Sequence, residues 1–256
     1  LALFSFILGA IFGSFLNVLI SRLPKGESII TPRSKCPSCS HTISWYYNIP
    51  IFSYFILKGK CAYCKIKISP VYYIVELITA FVTFALYLKF GISFELIFSC
   101  LFFYVLITLS FIDFEYKAVP DYLLLIVFIL AFWTTSFNIL DAFKFAFLFA
   151  GAFILLNFII TFYIQNIKSR ILKDESLQEQ EALGEGDIPI VASIGIVLGV
   201  EAGIVAIFLA AVFAIIPAIY SSISKKDIET PFIPYLSLGL IVEYFFNFSE
   251  VIKGLI

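Results

Sequence analysis

Four cysteines come in two pairs, CPSC (Cys36, Cys39) and CAYC (Cys61, Cys64). Each C-x2-C turn presents two sulfurs to one point, and four thiolates about 2.3 Å from a zinc ion make a closed tetrahedral site. With no open coordination position, such a metal is structural and does not itself catalyse. Two disulfides are the alternative, which a reducing compartment disfavours. His41 follows the first pair and could serve as a ligand, although four cysteines already fill the site. Cys100 stands alone inside an apolar run and reads as packing.

Two aspartates could do acid–base chemistry. Asp113 lies in FIDFEYKAVPD and Asp187 in GEGDIPIVAS, each at the edge of a long apolar run. An ionisable group at membrane depth is costly and points to function. Two carboxylates that face one another can share a proton, one then acting as base on water while the other donates to a scissile carbonyl. Gly184 and Gly186 allow a tight backbone and leave the approach to Asp187 open. Helix capping is the plainer role for Asp187, with Pro189 in the first turn. For Asp121, behind Pro120, capping is the reading adopted. Asn17, Arg22 and Glu76 form a third polar group near one membrane edge. They are either part of a cofactor site or a structural cluster joining the first two helices.

The elements that must position these residues follow from composition. The 256 residues are 61% hydrophobic and 14% charged, with 31 Phe, and the mean hydropathy is +1.03. No soluble domain of this size could bury so much apolar surface, so the chain reads as an all-α polytopic membrane protein. Its net charge of −1 gives no argument for nucleic acid as a partner; lipid is the expected surrounding. Apolar runs predict eight transmembrane helices, at about 1–21, 70–88, 92–112, 121–137, 140–164, 188–200, 203–222 and 233–251. The first run lacks a basic leader and is read as a retained helix, not a cleaved signal.

Charge then sets sidedness. Of the 17 Lys and Arg residues, all but Lys89, Lys144 and Lys253 fall in connections on one side. That side is cytoplasmic, which puts both termini outside. Three regions result: 1–21, a first transmembrane helix; 22–69, a small cytoplasmic loop with the four-cysteine zinc site; and 70–256, a transmembrane bundle holding both aspartates. The polar stretch QNIKSRILKDESLQEQEA is expected as a short surface helix or a linker.

Five motifs in order, GSFLNVLISRLP, the cysteine tetrad, FIDFEYKAVPD, GEGDIPIVASIGIVLG and PFIPYLSLG, resemble the bacterial type IV prepilin peptidases. Members of that family are GxGD intramembrane aspartic proteases that also act as N-methyltransferases. The resemblance implies that Asp113 and Asp187 are the catalytic pair and that loop 22–69 is associated with methylation. It also implies an inner-membrane enzyme that cleaves prepilin and pseudopilin leaders after a glycine at the cytoplasmic face. The new N-terminal amine, usually of Phe, is then methylated with S-adenosylmethionine. Residues 165–183 make a longer linker than the family pattern, and Ile233 stands where that pattern has Gly. The cysteine loop sets the chain apart from archaeal-type preflagellin peptidases.

Neither a glycine-rich Rossmann fingerprint nor room for a doubly wound cofactor domain is present, since such a domain needs about 100 residues or more. A methyl-donor site would have to be built from the loop and helix ends, with Asn17, Arg22 and Glu76 as candidates. Pro231 and Pro234, where the last helix starts, free nearby backbone to pair with an extended substrate. Two other readings stay open: a leader peptidase without methylation, and a non-catalytic zinc-bearing membrane assembly factor.

Overall fold

The computed structural model describes residues 1–172, 184–223 and 231–254. Among these residues the regular structure is helical, and β pairing is limited to isolated bridges between Lys35 and Thr42 and between Lys60 and Lys67. The chain divides into two compact units, Leu1–Pro120 and Asp121–Ile256.

The first unit holds α1 (Ala2–Arg22), the short α2 (Phe52–Ile56), α3 (Val71–Phe90) and α4 (Phe94–Tyr116). The packing of α1 on α3 depends on two glycines four residues apart. A Cβ on Gly9 would stand 2.6 Å from the Thr83 hydroxyl, and one on Gly13 would stand 2.7 Å from the Glu76 Cα. Small residues at this spacing let backbones approach in a medium where hydrophobicity gives no drive to associate. The buried face of α3 carries Thr79 and Thr83, whose hydroxyls donate to the carbonyls of Val75 and Thr79 at 2.7 Å. Thr83 also shares a 2.8 Å hydrogen bond with the Tyr104 hydroxyl of α4, so these hydroxyls are satisfied within the bundle and none faces lipid. Ser93 caps α4 by accepting from the Leu96 N–H at 3.2 Å.

The second unit holds α5 (Asp121–Thr134), α6 (Ile139–Phe162), α7 (Ser169–Leu172), α8 (Asp187–Ile223), α9 (Ile233–Phe246) and α10 (Phe248–Lys253). A wider π-type segment, Tyr163–Lys168, carries α6 into α7. Phe149 of α6 fills the space left by two glycines of α8: a Cβ on Gly195 would stand 2.7 Å from its ring, and one on Gly203 2.6 Å. Gly239 of α9 meets the Ala206 carbonyl of α8 so closely that no Cβ would fit.

The structure refines where the expected helices begin and end. The runs expected at 188–200 and 203–222 are two helices that meet at a kink at Gly199 (φ 74, ψ −167), and they are labelled together as α8. The Ile196 carbonyl, just ahead of that break, accepts from the Thr135 hydroxyl at 2.6 Å. The Phe137 ring packs where a side chain at 199 would be. The last run, expected at 233–251, is also interrupted, by Asn247 in the left-handed region (φ 46). Five described helices are long and apolar enough to cross a membrane, and α5 and α9 are shorter apolar helices. The fourth run stops at Thr134. The fifth continues to Leu172 and takes in the start of the polar stretch; residues 173–183 lie outside the described residues.

Candidate active site and metal centre

Cys36, Cys39, Cys61 and Cys64 converge, with their four sulfurs all within 4.8 Å of one another. A tetrahedron with metal–sulfur distances of about 2.3 Å has edges of about 3.8 Å, and the Cys36 and Cys64 sulfurs stand 3.9 Å apart. All five cysteines are free, so the disulfide alternative is not what forms. His41 stays outside the group; its ring lies against Tyr63 at 3.7 Å between centroids.

The two cysteine turns are copies of one another. Cys36 N–H donates to the His41 carbonyl and Ser40 N–H to the Cys36 carbonyl, at 3.0 and 2.9 Å. Cys61 N–H donates to the Ile66 carbonyl and Lys65 N–H to the Cys61 carbonyl, at 2.9 and 3.1 Å. Ser40 (φ 56) and Lys65 (φ 61) both take the left-handed conformation that closes the turn. The flanking bridges, Lys35–Thr42 and Lys60–Lys67, match as well. In each copy the first cysteine is buried and the second exposed. Backbone N–H groups of Cys64 and then Tyr63 hold the Cys61 thiol down to about 6. Between residues 26 and 69 only Cys36, Ser53, Gly59 and Cys61 are buried. A loop with so small an apolar core fits one that folds around a metal.

The polar group near the loop is engaged with backbone. The Asn17 amide donates to the Tyr72 carbonyl at 2.9 Å, joining α1 to the first turn of α3. The Arg22 guanidinium donates to the Ser28 and Pro32 carbonyls at 2.8 and 2.7 Å. The Glu76 carboxylate accepts from the Ile51 N–H at 2.7 Å and bonds the Ser14 hydroxyl. These bonds tie α1 to α3 and the loop to both. Residue types alone did not point to a different feature, an open groove of about 290 Å³ lined by Arg33, Ser34, Ile43, Trp45 and Asn48. An Arg and a Trp within one short soluble loop were the available signal.

Asp187 is the first residue of α8 and is 6% exposed. Its N–H donates to the Gly184 carbonyl at 3.1 Å, which folds GEGD into a turn against the helix start. Gly184 keeps an ordinary φ, and a Cβ there would stand 3.7 Å from the Asp187 carboxylate. The glycine therefore leaves space beside the carboxylate and does not supply an unusual backbone conformation. Asp113 lies half-buried in the last turn of α4, which runs on to Tyr116; its carbonyl accepts from the Lys117 N–H at 2.9 Å. Asp113 belongs to the first unit and Asp187 to the second. Asp121 opens α5 as its first acidic residue, and Pro234 lies in the first turn of α9. Ile233 is buried at 2% exposure, so the bulk at that position packs inward.

Apolar helices, a four-cysteine loop and a buried carboxylate behind glycines define a helical membrane protein with a candidate acid–base site. Comparison with known proteins gives the family. Residues 7–90 match the bacterial peptidase A24 N-terminal domain, and residues 100–219 match the type IV leader peptidase family. A Vibrio cholerae protein named prepilin leader peptidase/N-methyltransferase is 33% identical over 257 residues, covering 96% of each chain. A Bacillus subtilis protein of the same name is 32% identical over 252 residues, covering 96% of this chain and 94% of its own. A third, from Myxococcus xanthus, is 37% identical over 195 residues, 76% of this chain; the match spans only 55% of that relative's length. No solved structure matches. The chain belongs to the type IV leader peptidase family.

Proposed function

We propose that this protein removes the leader from type IV prepilins and pseudopilins and then methylates the new N-terminus. The observation that carries this reading is the end-to-end match to relatives named for both activities, with 96% of each chain aligned in the Vibrio cholerae case. The buried Asp187, at the start of an apolar helix with open space beside it, supports the peptidase half.

In this reading Asp113 and Asp187, contributed by separate helices, act on one peptide bond. One carboxylate takes a proton from water and the other donates to the carbonyl oxygen, so that attack and protonation occur together. The absence of a side chain at Gly184 keeps the approach to the Asp187 carboxylate free of that residue's own bulk. The protein resides in a bacterial inner membrane, with the basic loops in the cytoplasm and both termini outside.

The cysteine tetrad holds zinc, and the 3.9 Å sulfur separation suits it. The metal supplies a folded loop and no reacting group. S-adenosylmethionine, when bound, supplies the methyl group. Two side chains lining the loop groove suit it, the Arg33 guanidinium for a carboxylate and the Asn48 amide for hydrogen bonds. A volume of about 290 Å³ is at the lower end for ligand pockets, so the groove would hold part of that molecule. Asn17, Arg22 and Glu76 shape the loop around it.

Co-expression with a prepilin, followed by the mass of the product's N-terminal peptide, tests the proposal. A shortened and methylated product is expected. A shortened product without the methyl group leaves a leader peptidase alone, and an intact leader removes the enzymatic reading.

A further inference from the structure

The loop carries an apolar face that the described residues leave uncovered. Phe52, Phe55 and Ile56 of α2 are 66%, 61% and 74% exposed, and Trp45 is 72% exposed. Uncovered aromatic and aliphatic side chains on this scale mark a binding surface. The question is what covers them.

Position answers part of it. Ile51, the residue before α2, is bonded by Glu76 at 2.7 Å. Glu76 is five residues beyond the first residue of α3, about 7.5 Å along that helix at 1.5 Å per residue. The Tyr54 ring stacks on Tyr73 at 5.4 Å, and the Phe55 ring meets Tyr73 edge-on at 5.1 Å. The short helix thus lies alongside the first turns of a membrane-spanning candidate, and does not stand off in the cytoplasm. Depth of this kind corresponds to the headgroup zone, where Trp and Tyr concentrate.

Charge answers the rest. Lys58, Lys60, Lys65 and Lys67 are exposed, and none of them joins an ion pair among the described residues. Glu27 is the only acidic residue between 22 and 69, against eight Lys and Arg. Four thiolates with a divalent metal would remove only two of those positive charges. A basic collar beside an apolar wedge fits an anionic bilayer surface, and the two attractions add.

We propose that the loop docks on the bilayer through Phe52, Phe55, Ile56 and Trp45, with Lys58, Lys60, Lys65 and Lys67 selecting anionic headgroups. Docking fixes the tetrad beside the membrane face from which α1 and α3 emerge. The inference does not depend on what the protein cleaves. Each lysine near an anionic surface shifts such an equilibrium by about fivefold, so four neutral replacements should weaken the anionic preference by about two orders of magnitude or more.

The test uses the full zinc-loaded chain in nanodiscs of neutral lipid, or of neutral lipid mixed with phosphatidylglycerol. Trp45 and Trp133 are the chain's two tryptophans, so Trp133→Phe leaves Trp45 as the reporter. The expected result is a blue-shifted Trp45, quenched by lipids brominated near the glycerol and shielded from iodide, in the anionic discs. High salt, or joint Lys→Gln replacement at 58, 60, 65 and 67, should return it to the neutral-disc state with zinc retained. Phe52→Ser with Ile56→Ser should lose bromolipid quenching. A Trp45 equally exposed to iodide in both lipids overturns the proposal. So does shielding that appears only at high protein density, which points to a second copy, or only with an added prepilin peptide, which points to substrate.

Discussion

At the residue scale the account rests on small distances around few side chains. A Cβ at Gly184 would stand 3.7 Å from the Asp187 carboxylate, an ordinary contact, with no demand on φ. Gly184→Ala should therefore keep most of the cleavage rate, while Gly184→Val crowds the approach and should lower it about tenfold or more, because misplacement by about 1 Å can cost about a hundredfold. Helix content and zinc loading should be unchanged in both; a Val variant with full activity would show that substrate does not pass this side of Asp187. Asp121→Asn, at the start of α5, should be mild, since Asn serves helix starts as well as Asp; a thermal melt and a cleavage assay together check it. The same scale explains what residue types could not convey. Asn17, Arg22 and Glu76 are legible as polar groups near a membrane edge, but their partners are backbone atoms of Tyr72, Ser28, Pro32 and Ile51. Backbone geometry in an irregular loop has no periodic signature in sequence.

At the element scale, glycine placement decides how helices meet. Gly13→Leu puts a side chain against the Glu76 backbone, where Cβ alone would be 2.7 Å from Cα. Overpacking of this kind should cost about 1–3 kcal/mol, visible as a lower melting temperature in detergent. Gly199→Ala meets both a left-handed backbone and the Phe137 ring, and a strained non-glycine residue costs about 1–3 kcal/mol; an unchanged melt would place the break elsewhere. These glycines also show where periodicity fails. The apolar run from Ile188 onward has a pause near Glu201 that reads as a loop; the two helices instead meet directly at a kink at Gly199. The helix type was legible because apolar runs this long have no other solution in lipid; the position of the break was not, because a single φ carries it. For the loop, Cys36→Ser should remove zinc and increase protease sensitivity between residues 26 and 69, because little besides the two sulfurs is buried there. Retention of full zinc by that variant, measured by metal analysis, would contradict the tetrad.

At the scale of the whole molecule, the cysteine pairs, GxGD and the order of motifs were legible because each depends on spacing or type alone. Sidedness was read from charge, and it makes a separate prediction. Single cysteines placed at Ser93 and Asn138 in a Cys100→Ser background should label from outside the cell with an impermeant maleimide, whereas one at Ser28 should not. The opposite pattern would invert the topology and place the aspartates on the wrong face for a cytoplasmic leader. The central claim is that Asp113 and Asp187 together hydrolyse the leader. The most direct measurement is the cleavage rate of a synthetic prepilin by purified wild type, Asp113→Asn and Asp187→Asn, each checked for helix content and zinc. Removing one partner of an acid–base pair costs about 10²–10⁴-fold, so each variant should lose cleavage by at least that lower figure while staying folded and metal-loaded. Substantial cleavage by either folded variant would contradict the account.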